Sequence, residues 1–161
     1  MTEDALAAHA RALISANAYL TLGTTDDDGG PWTCPVYFAP AGDDTFVWVS
    51  EADARHSRNL ARRPRVSLVV FDSTVAPYHG RAVYAVGEAW ELAGEALDRA
   101  LESYPRGTGD GATPLTLEDV SGASPYRLYS AVAAEMWVLC PRDPGQPCPV
   151  HGVARDHRVQ L

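Results

Sequence analysis

Apolar residues along this chain recur mainly at every second position, in short runs separated by turn-forming residues. Such alternation is typical of β-strands with one buried face. The pattern predicts strands at 18–24, 32–38, 46–49, 66–71, 81–92 and 126–139, and a last short strand within 150–161. Pro35 inside the second strand predicts a sheet edge or a bulge there, and Gly87 predicts a bulge or a close backbone approach in the fifth.

Apolar spacings of three and four residues predict helices at other places. Thr2 is positioned to cap a first helix that runs to about Ser15. Ser50 and Asp53 have the spacing of a capping box, which predicts a helix over 50–63 that Pro64 ends. A third helix is predicted over 94–104, followed by a loop over 105–113 and one or two helical turns over 114–120.

The order of these elements indicates the fold class. Strands follow one another through hairpin turns such as Asp26–Gly30, and the helices are inserted without repeated βαβ units. This order favours a mainly β protein with peripheral helices, namely a six- to seven-stranded antiparallel split β-barrel. We expect one domain over 1–161, with an N-terminal helix at 1–16 and a C-terminal tail at 141–161.

Composition and charge narrow the classes of function. The formal net charge is −8, which argues against nucleic acid or an anionic membrane surface as the main partner. No apolar run approaches the roughly 20 residues that span a bilayer. The sequence has no lysine, which excludes a lysine Schiff base and a standard P-loop lysine. Its three cysteines are too few for a disulfide framework, so a cytoplasmic setting is expected.

Basic residues are concentrated in the segment that follows the third strand. Five of the 13 arginines (Arg55, Arg58, Arg62, Arg63 and Arg65) lie there, together with His56. Arginine donors match phosphate oxygens, and the start of a helix adds backbone N–H groups. The segment therefore suggests an anchor for a small phosphate, although a charge run of this kind is more often a solvated face.

Four stretches in a fixed order resemble the pyridoxamine 5′-phosphate oxidase-like family, whose members are FMN-binding split barrels. They are TLGTTDDDGGPWTCPVYF, FVWVSEADARHSRNLARRPRVSLVVFD, RAVYAVGEAWEL with the preceding Gly80, and AEMWVL, which cover most of residues 17–139. The second stretch is the most specific. The resemblance implies an FMN-dependent oxidoreductase that transfers a hydride through flavin N5 to or from a small planar substrate. It also implies a homodimer with the cofactor at the subunit interface.

The resemblance also implies which residues contact the cofactor. They are Trp32, Thr33, Cys34, Pro35 and Val36 along the flavin ring, Val49 and Ser50 beside the ribityl chain, Arg55, His56 and Ser57 around the phosphate, and Trp137 from the partner chain, with Arg158 matching a C-terminal arginine of the oxidase. No catalytic side chain is predicted, because the flavin itself carries the chemistry.

The sequence departs from the oxidase pattern where that enzyme reads its substrate. Ala82 follows Arg81 in place of glutamine, and Tyr37 stands in place of a lysine. We therefore do not predict vitamin B6 synthesis. Two alternatives stay open on the same fold: a reductase that uses the deazaflavin F420, and a non-catalytic protein that binds flavin or haem.

The C-terminal tail contains the residue types of a zinc site. These are Cys140, Cys148, His151 and His157. Their spacing fits none of the familiar zinc motifs, so a proline-rich loop without metal is the favoured interpretation. We therefore predict no metal ligand in the tail, and none in the acidic turn at 26–30.

Overall fold

The structure, a computed structural model, describes residues 2–105 and 111–161. Three helices lie in these ranges: α1 (Glu3–Ala16), α2 (Arg55–Arg62) and α3 (Gly94–Ser103), with a 3-10 turn at Leu117–Val120. The strands are β1 (Tyr19–Thr25), β2 (Pro31–Pro40), β3 (Thr45–Glu51), β4 (Arg65–Phe71), β5 (Ala82–Glu91), β6 (Tyr126–Leu139) and β7 (Arg158–Gln160). Most of the loop predicted over 105–113 lies outside the described residues. None of the described helices is long and apolar enough to cross a bilayer.

The strands form a closed antiparallel barrel. Their order is β3-β2-β1-β4-β5-β6-β7, and β3 also pairs with β6, which closes six strands into a ring. The long strand β6 pairs with β3 along residues 126–132 and with β7 along residues 137–139. The predicted split barrel of six to seven strands is confirmed.

One strand edge stays open in this barrel. Strand β2 pairs with β1 along residues 31–37 but with β3 only along residues 38–40. Residues 31–37 therefore have no strand partner on the β3 side among the described residues. Pro35 lies in this open stretch, where its missing N–H interrupts no ladder, as predicted.

The hydrophobic core fills the interior of the barrel and extends between the barrel and the helices packed outside it. Phe38, Phe46 and Trp48 are fully buried inside, and α1 adds an apolar face made of Leu6, Ala10, Leu13 and Ile14. A second cluster joins Val47 on the opposite side of β3 to Leu97 and other residues around α3. Strand β3 is therefore buried on both faces, which fixes the position of the segment that follows it.

The structure corrects three expectations about helix ends and strands. Ser50 does not cap a helix, because it pairs with Arg127 within β3, and α2 begins at Arg55 after Ala54 without a side-chain cap. The helical turn expected over 114–120 is limited to Leu117–Val120, which the Thr116 and Asp119 side chains cap. The last strand is limited to Arg158–Gln160, since the preceding tail forms turns.

Candidate functional site

The hairpin between β1 and β2 folds against α2. The Asp26 carboxylate accepts hydrogen bonds from the backbone N–H groups of Gly30 (2.7 Å) and Asp28 (3.1 Å), and these hold the turn. The same carboxylate pairs with Arg55 Nη2 at 3.3 Å. The Gly30 N–H, and after it Arg55, keep the pKa of Asp26 below its usual value. The predicted turn is confirmed, and its acidic side chain faces the basic helix.

Three further arginines of the basic segment contact this hairpin or the loop before α2. Arg62 Nε lies 2.6 Å from Asp27 Oδ2, and Arg63 donates to the Asp27 carbonyl oxygen at 2.6 Å. Arg58 donates to the backbone carbonyl oxygen of Asp53. These contacts surround a cleft of about 410 Å³ that is lined by Asp26, Asp27, Asp28, Arg55, Arg58, Asn59 and Arg62. The cleft holds as many carboxylates as guanidinium groups, so an incoming anion must compete with acidic side chains.

Buried hydroxyl groups and a half-buried imidazole lie behind the start of α2. His56 Nε2 and Ser50 Oγ are hydrogen-bonded at 2.7 Å. Burial lowers the pKa of His56, so its imidazole is neutral near pH 7 and offers a hydrogen bond without charge. Ser57 is buried on the inner side of α2, next to Tyr129. Val49, half-buried, lies one residue before Ser50 in β3.

The open stretch of β2 begins beside Arg55. The Arg55 guanidinium lies over the indole ring of Trp32, 4.5 Å from the ring centroid. Thr33 and Pro35 are exposed, Cys34 is half-buried and Val36 is buried, as the alternation of a strand requires. Burial raises the pKa of the Cys34 thiol, which argues against a reactive thiolate there. Trp32 also lines a second cleft, of about 300 Å³, between β1, β2 and β4.

Asn59 connects the helix to this strand and was not singled out from the sequence. Its side-chain amide donates to Thr24 Oγ1 at 3.0 Å, and the Thr24 hydroxyl donates to the Trp32 carbonyl oxygen at 3.5 Å. Asn59 and Thr24 are both buried. Buried polar side chains need a partner, but the burial of Asn59 is visible only in the structure, so the sequence offered no signal for this contact.

Trp137 and Arg158 lie together in another part of the barrel. Trp137 pairs with Tyr84 of β5, and the Arg158 guanidinium lies 4.4 Å from the centroid of the Tyr84 ring. Cross-strand neighbours form a row on the outer face, which we call the lateral row: Pro35, Thr21, Val69, Tyr84 and Trp137. Trp137 is thus four strands from Pro35, or about 19 Å along the curved sheet.

This architecture agrees with a comparison of the sequence with protein families. Residues 6–140 match the family model for pyridoxamine 5′-phosphate oxidase. The chain belongs to this family. No curated protein matches the sequence significantly. The resemblance that the four sequence stretches suggested is confirmed.

Solved structures that resemble this member of the pyridoxamine 5′-phosphate oxidase family support the same fold. The heme binding protein from Mycobacterium smegmatis is 20% identical with a TM-score of 0.70, and the match covers 96% of this chain and 57% of that one. HutZ, the heme storage protein from Vibrio cholerae, is 18% identical with a TM-score of 0.60, covering 81% and 92%. Campylobacter jejuni ChuZ is 11% identical with a TM-score of 0.69, covering 84% and 56%. The chain thus spans little more than half the length of the first and third of these proteins.

Proposed function

We propose that this chain binds FMN between the open stretch of β2 and the start of α2, and that it acts as an FMN-dependent oxidoreductase. The observation that carries the proposal is the position of Arg55. Its guanidinium lies over Trp32 at the beginning of the open stretch and also lines the basic cleft. A planar ring along β2 and a phosphate in the cleft would therefore belong to one ligand of FMN's shape.

The residues around the cleft fit the phosphate end of such a ligand. Arg55 and Arg58 line it with guanidinium donors, and Arg55 is half-exposed and able to exchange Asp26 for phosphate. Bonds from guanidinium to phosphate are stronger than bonds between neutral groups. His56 contributes a neutral donor and orients Ser50, while Ser57 supports α2 from its buried side.

The residues along β2 fit the ring end. Within residues 32–36, the backbone groups that face away from β1 have no β3 partner and are available to the edge of a flavin ring, with Val49 and Ser50 along the connecting chain. When bound there, FMN supplies hydride transfer at its N5 atom to or from a small planar substrate. The protein's part is to orient the ring and to exclude water, and no acid or base side chain is required.

A second copy of the chain would complete the site. The lateral row is uncharged and half-buried at Val69, Tyr84 and Trp137, and Phe71 beside it is 48% exposed. Apolar side chains on an outer sheet face favour association with another subunit. We propose a homodimer in which Trp137, supported by Arg158, approaches the FMN ring that the other copy holds.

Haem and the deazaflavin F420 are the competing cofactors. The names of two similar structures state haem binding or storage, and the arginines of α2 would also suit the anionic tail of F420. Absorbance distinguishes the three. FMN gives a yellow protein with flavin bands, haem gives a Soret band, and F420 gives a deazaflavin spectrum without reoxidation by oxygen.

The decisive experiment is a titration of the purified full chain with FMN, followed by quenching of flavin fluorescence. Arg55→Ala is expected to weaken binding by roughly 1.5–3 kcal/mol, the range for a hydrogen bond to a charged group. Arg99→Ala is the matched control, because Arg99 is exposed on α3 away from the cleft. Equal affinity of the two variants for FMN would overturn the assignment of the phosphate site.

A further inference from the structure

Four side chains that are distant in sequence meet beyond the end of β6. Cys140 follows the strand, Cys148 and His151 lie in the following loop, and His157 precedes β7. One sulfur or nitrogen atom from each lies within 4.8 Å of all the others. Both sulfurs belong to buried residues, and neither cysteine is in a disulfide.

Four of the six distances between these atoms match those of a tetrahedral site, and all six are within 4.8 Å. Cys140 Sγ lies 3.6 Å from His151 Nδ1, and Cys148 Sγ lies 3.8 Å from that nitrogen and 3.7 Å from His157 Nε2. The two nitrogens are 3.3 Å apart. With Zn–S bonds of about 2.3 Å and Zn–N bonds of about 2.05 Å, a regular tetrahedron gives S···N edges of about 3.6 Å and an N···N edge of about 3.3 Å.

The backbone holds these four residues in place. The Cys140 N–H donates to the His157 carbonyl oxygen at 3.0 Å, which brings the two ends of the tail together. The Cys148 N–H donates to Val153, and the Gly152 N–H donates to Cys148, closing a tight turn around His151. Gly152 adopts φ +68°, a conformation that favours glycine. The arrangement is thus supported by the main chain and does not depend on side-chain rotamers alone.

Two of the four atoms have further hydrogen bonds that prepare them as metal ligands. His157 Nδ1 donates to the Arg155 carbonyl oxygen at 3.1 Å, which places its proton on Nδ1 and leaves the Nε2 lone pair facing the cluster. The backbone N–H of His151 donates to Cys148 Sγ at 3.2 Å and stabilises negative charge on that sulfur. A histidine held by a carbonyl and a sulfur held by an N–H group are the supports that bound metals usually have.

We propose that Cys140, Cys148, His151 and His157 bind one zinc ion in a closed tetrahedral site. Zn²⁺ binds two thiolates and two neutral imidazoles, and the two thiol protons pass to solvent. Four protein ligands leave no position for a substrate, so the ion is structural. This site is independent of the proposed flavin chemistry, and three of its ligands lie beyond the family match, which ends at residue 140.

The topology indicates that a zinc ion at this site stabilises the attachment of the tail to β6. Strand β7 has only three residues and, among the described strands, pairs only with the end of β6. Short strands of this kind are weak on their own. The zinc ion fastens the tail between residues 141 and 157 to the end of β6, and it thereby keeps Arg158 over Tyr84.

The test uses the reduced full chain, treated with a chelator and then titrated with Co²⁺ followed by Zn²⁺. We expect about one equivalent of Co²⁺ to give the visible bands of tetrahedral thiolate coordination, and Zn²⁺ to displace them. Zn²⁺ should raise the melting temperature of the chain, because it binds the folded state. His157→Ala should weaken Zn²⁺ binding by more than about 100-fold, since it removes a ligand outright.

Two comparisons make the result decisive. Cys34→Ser removes the one cysteine outside the cluster, and its Co²⁺ spectrum should equal that of the unmodified chain. His157→Ala alters a side chain that is not fully buried, and circular dichroism reports whether it folds. A folded, reduced chain that binds Co²⁺ no better than His157→Ala would overturn the proposal. So would a Cys140–Cys148 disulfide that, once reduced, yields a protein taking up no Zn²⁺.

Discussion

The guanidinium of Arg55 lies 4.5 Å from the centroid of the Trp32 ring and also donates to Asp26 Oδ2 at 3.3 Å. This contact between Arg55 and Trp32 joins the first turn of α2 to the open stretch of β2. An anion that binds Arg55 must replace Asp26, and a ring that follows β2 must pass Trp32. The two residues therefore couple the two ends of the proposed FMN site.

Asp26→Asn should strengthen the binding of FMN. The amide oxygen can still accept from Gly30 and Asp28, so the turn is retained, while the competing charge on Arg55 is removed. An exposed ion pair is weak, so we expect a gain in affinity of only about 1.5- to fivefold. Fluorescence titration with FMN measures the gain, and riboflavin, which lacks the phosphate, should show none. An equal change for both ligands would mean that Asp26 acts through the hairpin instead.

Val69→Arg should dissociate the proposed dimer. Val69 lies in the middle of the lateral row, between Thr21 and Tyr84, and a buried arginine without a partner is costly in an interface. Size-exclusion chromatography with light scattering should give a dimer for the unmodified chain and a monomer for the variant. Leu117→Arg is the control, since Leu117 is exposed outside the row. The homodimer hypothesis fails if the unmodified chain is a monomer, or if Val69→Arg remains a dimer.

Much of the fold could be predicted from the sequence because burial on one face imposes alternation. Strand β6 was predicted with its observed ends, since Pro125 and Pro141 bound a run rich in tyrosine and valine. The helix ends were less predictable. Ser50 has good capping chemistry, but its pairing with Arg127 extends β3 to Glu51 and delays α2 to Arg55. A long-range strand pair outweighs a local signal of this kind, and the sequence does not reveal such a pair.

The candidate site was only partly predictable for the same reason. The basic segment was recognisable, but its pairing with Asp26 and Asp27 depends on the hairpin folding against α2. The cluster of Cys140, Cys148, His151 and His157 was harder still to predict, because its ligand spacing matches no common motif. Cys140 and His157 become neighbours through the pairing of β6 with β7, which a backbone hydrogen bond between these two residues extends.

Gly87→Ala should destabilise the barrel strongly. A Cβ at Gly87 would lie 2.0 Å from the Val132 carbonyl oxygen, at the bulge where the β5–β6 register shifts. Backbone cannot move aside cheaply, so we expect a loss of about 3 kcal/mol in the free energy of unfolding, measured by urea denaturation. Gly23→Ala is the matched control, because its obstacle is the Ser67 hydroxyl, which can rotate away. It should cost about 1 kcal/mol. A loss for Gly87→Ala no larger than that for Gly23→Ala would show that the bulge tolerates a side chain.

His56 should make the fold less stable in mild acid. Its pKa is lowered below 6.5 by burial, so both folded and unfolded chains are neutral at this residue above that pH. Below pH 6.5, His56 binds a proton in the unfolded chain but not in the folded chain. The free energy of unfolding therefore falls by up to about 1.4 kcal/mol per pH unit until the pKa of His56 in the folded chain is reached. His56→Gln keeps a hydrogen-bonding group for Ser50 but does not titrate. Urea denaturation at pH 7 and pH 5 should therefore show a smaller loss for His56→Gln than for the unmodified chain. His9 and the Cys140–His157 cluster are common to both proteins, so the difference reports His56 alone. An equal loss would place the proton on the folded His56 as well and would make it a cation available to phosphate.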